Sequence, residues 1–258
     1  SPMNYGEKQE LLFKIYCTYL RDTKNKSSVL KEIEHVGFDE EYLSHNFSNL
    51  KFNDLENDDK LIKKISSEIN IVKSKSTDKA DIKINNVSYS LKCTGHAMPA
   101  IINHTPRNGW LKIAEREGLD IIKLDNIINE YWNLREAKEI SEDCSNSNSK
   151  SPFKDNIEII KPFLNYFLFK GTGKGKSDNP ADRILSFESY SNLKSWKIYG
   201  DEYLDKHWDK LVFSVRSKGM PENYKQHKDK NIIEPWTRNF KGKKGGKKLR
   251  GSLHVRVA

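Results

Sequence analysis

Between Asp81 and Lys92 an acid, two hydroxyls and a lysine recur at spacings that a β-hairpin brings together. In Asp81-Ile82-Lys83-Ile84-Asn85-Asn86-Val87-Ser88-Tyr89-Ser90-Leu91-Lys92, two alternating runs (Lys79 to Ile84 and Val87 to Cys93) flank Asn85-Asn86, a dipeptide that accepts the positive φ values of a tight turn. Side chains alternate faces along a strand, so Ser88, Ser90 and Lys92 share one side while Asp81 opens the neighbouring strand. A carboxylate to hold a divalent cation and a positive group near the phosphate or the attacking water are two of the parts that metal-assisted phosphodiester hydrolysis requires. The charged solvent face of an ordinary half-buried hairpin has the same composition, and spacing alone does not separate the two.

The pattern resembles the PD-(D/E)XK nucleases, and in particular type II restriction endonucleases, in which an Asp opens one strand of a hairpin and the next strand carries an acid, any residue, then Lys. Asp81 matches the first acid and Lys92 the lysine, whereas Ser90 stands where the second acid is expected and Ala80 where the Pro sits. The resemblance covers about residues 60–115. It implies an α/β fold with a mixed central sheet flanked by helices, Mg²⁺ as cofactor, and duplex DNA as the substrate cut at a short specific sequence. It implies no nucleotide cofactor and is compatible with a homodimer. Asp81 would bind the metal, Lys92 would orient or help deprotonate the attacking water, and Ser90 would contribute a hydroxyl ligand or fill space. Members that lack the second acid recruit a carboxylate from a neighbouring helix. Glu68, on the helix expected just before the hairpin, is the first candidate, with Glu34, Glu115 and Glu117 behind it.

Other segments offer groups for a polyanion. Cys93 to Arg107 is small and polar, and Thr94, Asn103, His104 and Arg107 have the donors to bond a phosphate or a base edge. Gly171-Thr172-Gly173-Lys174-Gly175-Lys176-Ser177 ends like a phosphate-binding P-loop, but its first Gly leaves three residues, not four, before Gly175-Lys176. A flexible loop offering Lys174 and Lys176 to a DNA backbone suits it better. The run Trp208 to Arg216 reads as a strand whose exit, Arg216-Ser217-Lys218-Gly219, can present donors to a groove.

Charge sharpens that reading. The 258 residues carry 45 Lys and Arg against 36 Asp and Glu, a net +9, and Arg238, Lys241, Lys243, Lys244, Lys247, Lys248, Arg250 and Arg256 fall in a final stretch without one acid. Such a block suits a polyanion partner, a solubilising tail being the plain alternative. After Gly245-Gly246 the alternation of Leu249, Leu253, Val255 and Val257 predicts one strand closing a hairpin, with Lys248, Arg250, Ser252, His254 and Arg256 on its other face. Arg250, His254 and Arg256 are then the candidates for base edges, and Lys243, Lys244, Lys247 and Lys248 for phosphates.

The elements that must position these groups follow from periodicity. Helices are predicted over the first twenty or so residues, Ser28 to Val36, Leu61 to Ile71 and Leu119 to Ala137. The apolar-poor stretch 141–151 reads as a loop or linker, which divides the chain into a nuclease core at 1–140 and a basic, strand-containing recognition half at 152–258, the two compatible with one compact domain. The five Trp residues read as core anchors. No apolar run has the roughly 20 residues of a membrane helix, and three separated cysteines give no disulfide framework, so a cytoplasmic setting is expected.

Overall fold

Asn85 (φ 50°) and Asn86 (φ 67°) both adopt the left-handed conformation, and the expected hairpin forms around them with Ile84 opposite Val87 and Ile82 opposite Tyr89. The computed structural model describes residues 2–97 and 100–258; Met98 and Pro99, within the polar stretch after Lys92, lie outside the described residues, as does Ser1. In chain order the first elements are α1 (Tyr5–Asp22), β1 (Val36–Gly37), α2 (Phe52–Glu56), α3 (Asp59–Glu68), β2 (Ile82–Ile84), β3 (Val87–Cys93), β4 (Ala100–Pro106), α4 (Arg107–Glu117), α5 (Ile121–Glu136), β5 (Cys144–Ser145) and α6 (Ile157–Asn165). There follow β6 (Gly171–Thr172), β7 (Gly175–Lys176), β8 (Arg183–Phe187), β9 (Lys197–Tyr199), α7 (Tyr203–His207), β10 (Leu211–Arg216), α8 (Lys230–Ile233), β11 (Arg238–Lys241), β12 (Lys247–Arg250) and β13 (Ser252–Val257). This is a mixed α/β chain, and no described helix is long and apolar enough to cross a membrane.

The chain divides into two discontinuous units, residues 1–97 with 177–201 and residues 98–176 with 202–258, rather than at the expected 141–151. That stretch is a loop inside the second unit. Its β5 pairs with β10, and buried Asn146 donates to the Trp208 carbonyl at 3.1 Å, so it is built into the sheet and joins nothing to anything else.

In the first unit the sheet order is β1-β2-β3-β8-β9; β3 and β8 run parallel and the other pairs antiparallel, a mixed sheet. Helix α1 lays Leu12, Phe13 and Ile15 in the core, with the Phe13 ring 4.7 Å from Phe187 and 4.6 Å from Trp196, and α3 adds Ile62 and Ile65. That packing fixes the rotation of α1 and therefore where its polar residues point. The helix predicted over Ser28 to Val36 does not form. Ser28 Oγ accepts from Leu30 N, Lys31 has φ 61°, and the Asn85 side chain accepts from Glu34 N and His35 N while donating to the Glu32 carbonyl. A tertiary partner has taken the backbone groups that a helix would have used, and Val36 pairs with Ile84 instead.

In the second unit the antiparallel sheet order is β4-β13-β10-β5, with β11-β12 and β6-β7 as separate two-stranded ribbons. Trp110, Trp132 and Trp236 are fully buried in this unit, Trp208 is buried here too and Trp196 in the first unit, as expected of core anchors. The apolar run 157–169 is helical, α6 continuing into a π-helical turn at Tyr166–Lys170. The single strand predicted through 249–257 is two strands of different sheets. They separate at Gly251, where a Cβ would stand 2.5 Å from Thr237 Oγ1, and only the second, β13, enters the central position.

Candidate functional site

The first unit gathers charge around Asp81. Its backbone N donates to the Tyr89 carbonyl at 2.8 Å, extending the β2–β3 ladder by one residue, and one carboxylate oxygen accepts from Leu91 N at 2.8 Å. The other oxygen meets Ser74 Oγ at 2.7 Å, and that same hydroxyl stands 2.8 Å from Glu10 Oε1. Glu10 Oε2 accepts from Ser74 N at 3.1 Å and from the Lys14 ammonium at 3.1 Å, while Lys14, fully buried, also donates to the Val72 carbonyl at 2.7 Å. Residues 10 and 14 are one helical turn apart, so α1 delivers the acid and its counter-ion together.

The electrostatics follow from this crowding. Burial and the Glu10 charge push the Asp81 carboxyl above its ordinary pKa, opposed by the Leu91 and Ser74 hydrogen bonds and by Lys92. A hydroxyl owns one proton, so Ser74 donates to one of the two carboxylates and leaves the other to face its lone pairs. Burial pulls the Lys92 ammonium down, opposed by Asp81, and Lys79 is pulled down to about 8 by burial and then by Lys92. Two carboxylates, a hydroxyl and two lysines with depressed pKa values thus share one small volume. This is the setting in which charge-handling groups are tuned.

Sequence reasoning identified part of this cluster. Asp81 and Lys92 lie near enough for each charge to shift the other's pKa. Ser90 is buried on β3 opposite Ile184, so no acid stands on that strand. Glu68 has no recorded contact with Asp81. It lies at the exposed end of α3, 4.0 Å from His45, and the acid that approaches Asp81 is Glu10. Glu34 is exposed, its N–H taken by Asn85, whereas Glu115 and Glu117 belong to the second unit, the latter paired with Lys170. Nothing in the neighbourhood of residue 10 distinguishes it from any polar position of an amphipathic helix.

Among the described residues no three His, Cys, Asp or Glu side chains converge as a metal cage. A pair of carboxylates still fits Mg²⁺, a hard cation usually held by one or two carboxylates with water filling the remaining positions. Glu10 and Asp81, joined through one hydroxyl, are such a pair.

The second unit holds most of the basic candidates, and they differ in availability. Arg107 is buried in a two-pronged ion pair with Asp125 at 2.8 Å and donates to the Ile232 carbonyl, so it cannot contact DNA as expected. Arg250 is buried too, donating to Glu142 at 3.0 Å and to the Phe240 carbonyl at 2.9 Å, which removes it from the base-reading set. His254 is only 7% exposed, its ring 4.6 Å from His104, while Arg256 is half-buried. His104 (φ 53°) contacts Asn103 Oδ1 through Nδ1 at 2.7 Å, and Arg216 donates to Asp143 at 3.1 Å. Lys174 and Lys176 are exposed on the β6–β7 ribbon, which is a hairpin and not a P-loop. Lys218, Lys243, Lys244, Lys247 and Lys248 are exposed, as is Thr94 of the first unit, whose N–H bonds the Phe187 carbonyl.

Comparison of the chain with known protein families, with curated proteins and with solved structures gives no match.

Proposed function

We propose that the chain is a Mg²⁺-dependent endonuclease that hydrolyses phosphodiesters of duplex DNA at a short specific sequence. It would act as a type II restriction enzyme in the cytoplasm, on a PD-(D/E)XK-like core. The observation that carries this reading is the meeting of Glu10 and Asp81 on the Ser74 hydroxyl beside Lys92, because it supplies from α1 the carboxylate that Ser90 leaves missing. Glu10 and Asp81 would hold the cation, which would supply charge neutralisation at the phosphate and acidification of a bound water. Lys92 orients the attacking water through its ammonium, and the lowering of its pKa by burial eases proton exchange. Lys79 adds a second positive charge for the phosphate, the Lys14 ion pair holds Glu10 in place, and Ser90 fills space on β3. The exposed lysines of the second unit supply the sequence-independent grip.

The test is incubation of supercoiled plasmid with the protein in Mg²⁺ or EDTA. Discrete fragments in Mg²⁺ only, lost in Asp81→Ala and Glu10→Gln, support the assignment. A salt-sensitive mobility shift with no cutting replaces it with a non-catalytic nucleic-acid-binding protein that uses the β11–β12 hairpin.

A further inference from the structure

Around the end of β10 the second unit collects cations about Asp143, with Glu142 beside it. Arg216 donates through one terminal nitrogen to Asp143 Oδ1 at 3.1 Å, and its other terminal nitrogen lies 3.4 Å from His104 Nε2. Asp143 Oδ2 is 3.8 Å from the Lys243 ammonium, and Lys243 N donates to Glu142 at 3.4 Å. His104 and His254 stand ring against ring at 4.6 Å, and Nδ1 of the largely buried His254 has no hydrogen-bond partner. The groups acting on this pair are Arg216 and Lys218 at His104, and Arg216, His104, Arg256 and Asp143 at His254. Asp143 is the one acid among them. Both imidazoles are held neutral by burial and by these cations, which leaves His104 Nε2 free to accept from Arg216.

The Asp143 carboxylate carries the charge of a phosphodiester and accepts the same charge-assisted hydrogen bonds, whereas Glu142 is engaged by Arg250. Asp143 and Arg216 are each about a quarter exposed (26% and 28%), and Lys243 is 72% exposed, so the carboxylate can be exchanged at the surface without opening the core. We propose that Arg216 and Lys243, with His104 positioning Arg216 from behind, form a binding site for a backbone phosphate of duplex DNA, and that Asp143 occupies this site until a phosphate displaces it. The inference rests on the DNA-binding part of the proposed function and goes beyond it in assigning the phosphate a position and a competitor.

The experiment is fluorescence anisotropy of a short duplex without divalent metal, across several salt concentrations. Asp143→Asn is expected to bind about three- to tenfold tighter than wild type on cognate and scrambled duplexes alike, because it removes a competing charge and leaves every phosphate-binding group in place. Asp143→Glu is expected to stay at the wild-type value. Lys243→Gln, on an exposed turn, is expected to weaken binding and lower the salt slope by about 0.9, and Arg216→Gln to cancel the gain in the double variant with Asp143→Asn. Equal or weaker binding by folded Asp143→Asn overturns the proposal, and should that variant melt early, unchanged affinity of Lys243→Gln overturns it instead. A wild type that binds duplex normally while these variants show no such pattern removes the site and leaves the proposed function standing, whereas a wild type without duplex affinity removes both.

Discussion

The two hairpins β2–β3 and β11–β12 differ in their turns, two residues in the first and five in the second, and in their surroundings. In the first, Asn85 and Asn86 take positive φ, and the Asn85 side chain bonds three backbone groups of the 32–35 segment while the strands sit inside a five-stranded sheet. In the second, Gly245 takes φ 85° with nothing near its Cβ position, and the strands pair only with each other. The anchored hairpin carries partly or fully buried titratable groups with shifted pKa values, and the free one carries exposed lysines. Precise chemistry needs groups held by many neighbours, whereas gripping a uniformly charged backbone needs only charge that can reach it.

The largest expected effect falls on the anchored side. Glu10→Gln, Asp81→Ala and Lys92→Ala should each lower cleavage at least about 10²- to 10³-fold with native circular dichroism retained, and full cutting by any of them would detach that residue from the site. Lys14→Met should cost about 3–5 kcal/mol in urea unfolding, because it leaves Glu10 buried without its counter-ion. A change under about 1 kcal/mol would mean that Glu10 is satisfied by Ser74 alone. Asn85→Ala removes three side-chain hydrogen bonds at a positive φ and should cost about 2–3 kcal/mol, against about 1–2 for Gly245→Ala, where only the φ strain acts. If the two melt alike, the contrast between the hairpins is empty.

On the free side, converting Lys243, Lys244, Lys247 and Lys248 together to Gln should leave stability within about 0.5 kcal/mol. The same change should reduce the slope of log affinity against log salt by about 0.9 for each phosphate that is no longer neutralised. An unchanged slope would make the hairpin a solubility device. The last effect concerns pH. His254 is pushed down to about 4 from 6.5, first by burial and then by Arg216, so the fold favours its neutral form. That contribution is complete above pH 6.5 and is lost as pH falls through 6.5 towards 4. Melting curves of wild type and His254→Asn should therefore converge or cross over this window, and parallel curves would show that the buried ring does not titrate.

The β2–β3 hairpin was legible in the sequence because Asn-Asn between two alternating runs is a local instruction, and the helices near 5–22, 59–68 and 121–136 were legible from their apolar period. What escaped depended on partners far along the chain. Glu10 meets Asp81 across 71 positions of sequence, and only the packing of α1 aims it there. Arg107 and Arg250 look available in the sequence, but Asp125 and Glu142 stand beside them in the fold. The 28–36 segment has both a cap and an apolar period, yet the Asn85 side chain outcompetes the helix for its backbone groups. A basic residue in a sequence thus shows that charge is present, not that it is free.

The central place of β13 sets a timetable for synthesis. In the order β4-β13-β10-β5, neither β4 nor β10 has its principal neighbour until residues 252–257 are made, because both pair with β13 and not with each other. Such distant pairing is slow to form and leaves strand edges open in the nascent chain. The first unit reaches its last strand at residue 199 and can close its sheet earlier. The sheet of the first unit is then complete in the growing chain before that of the second, so the order of translation itself sets which of the two can fold first.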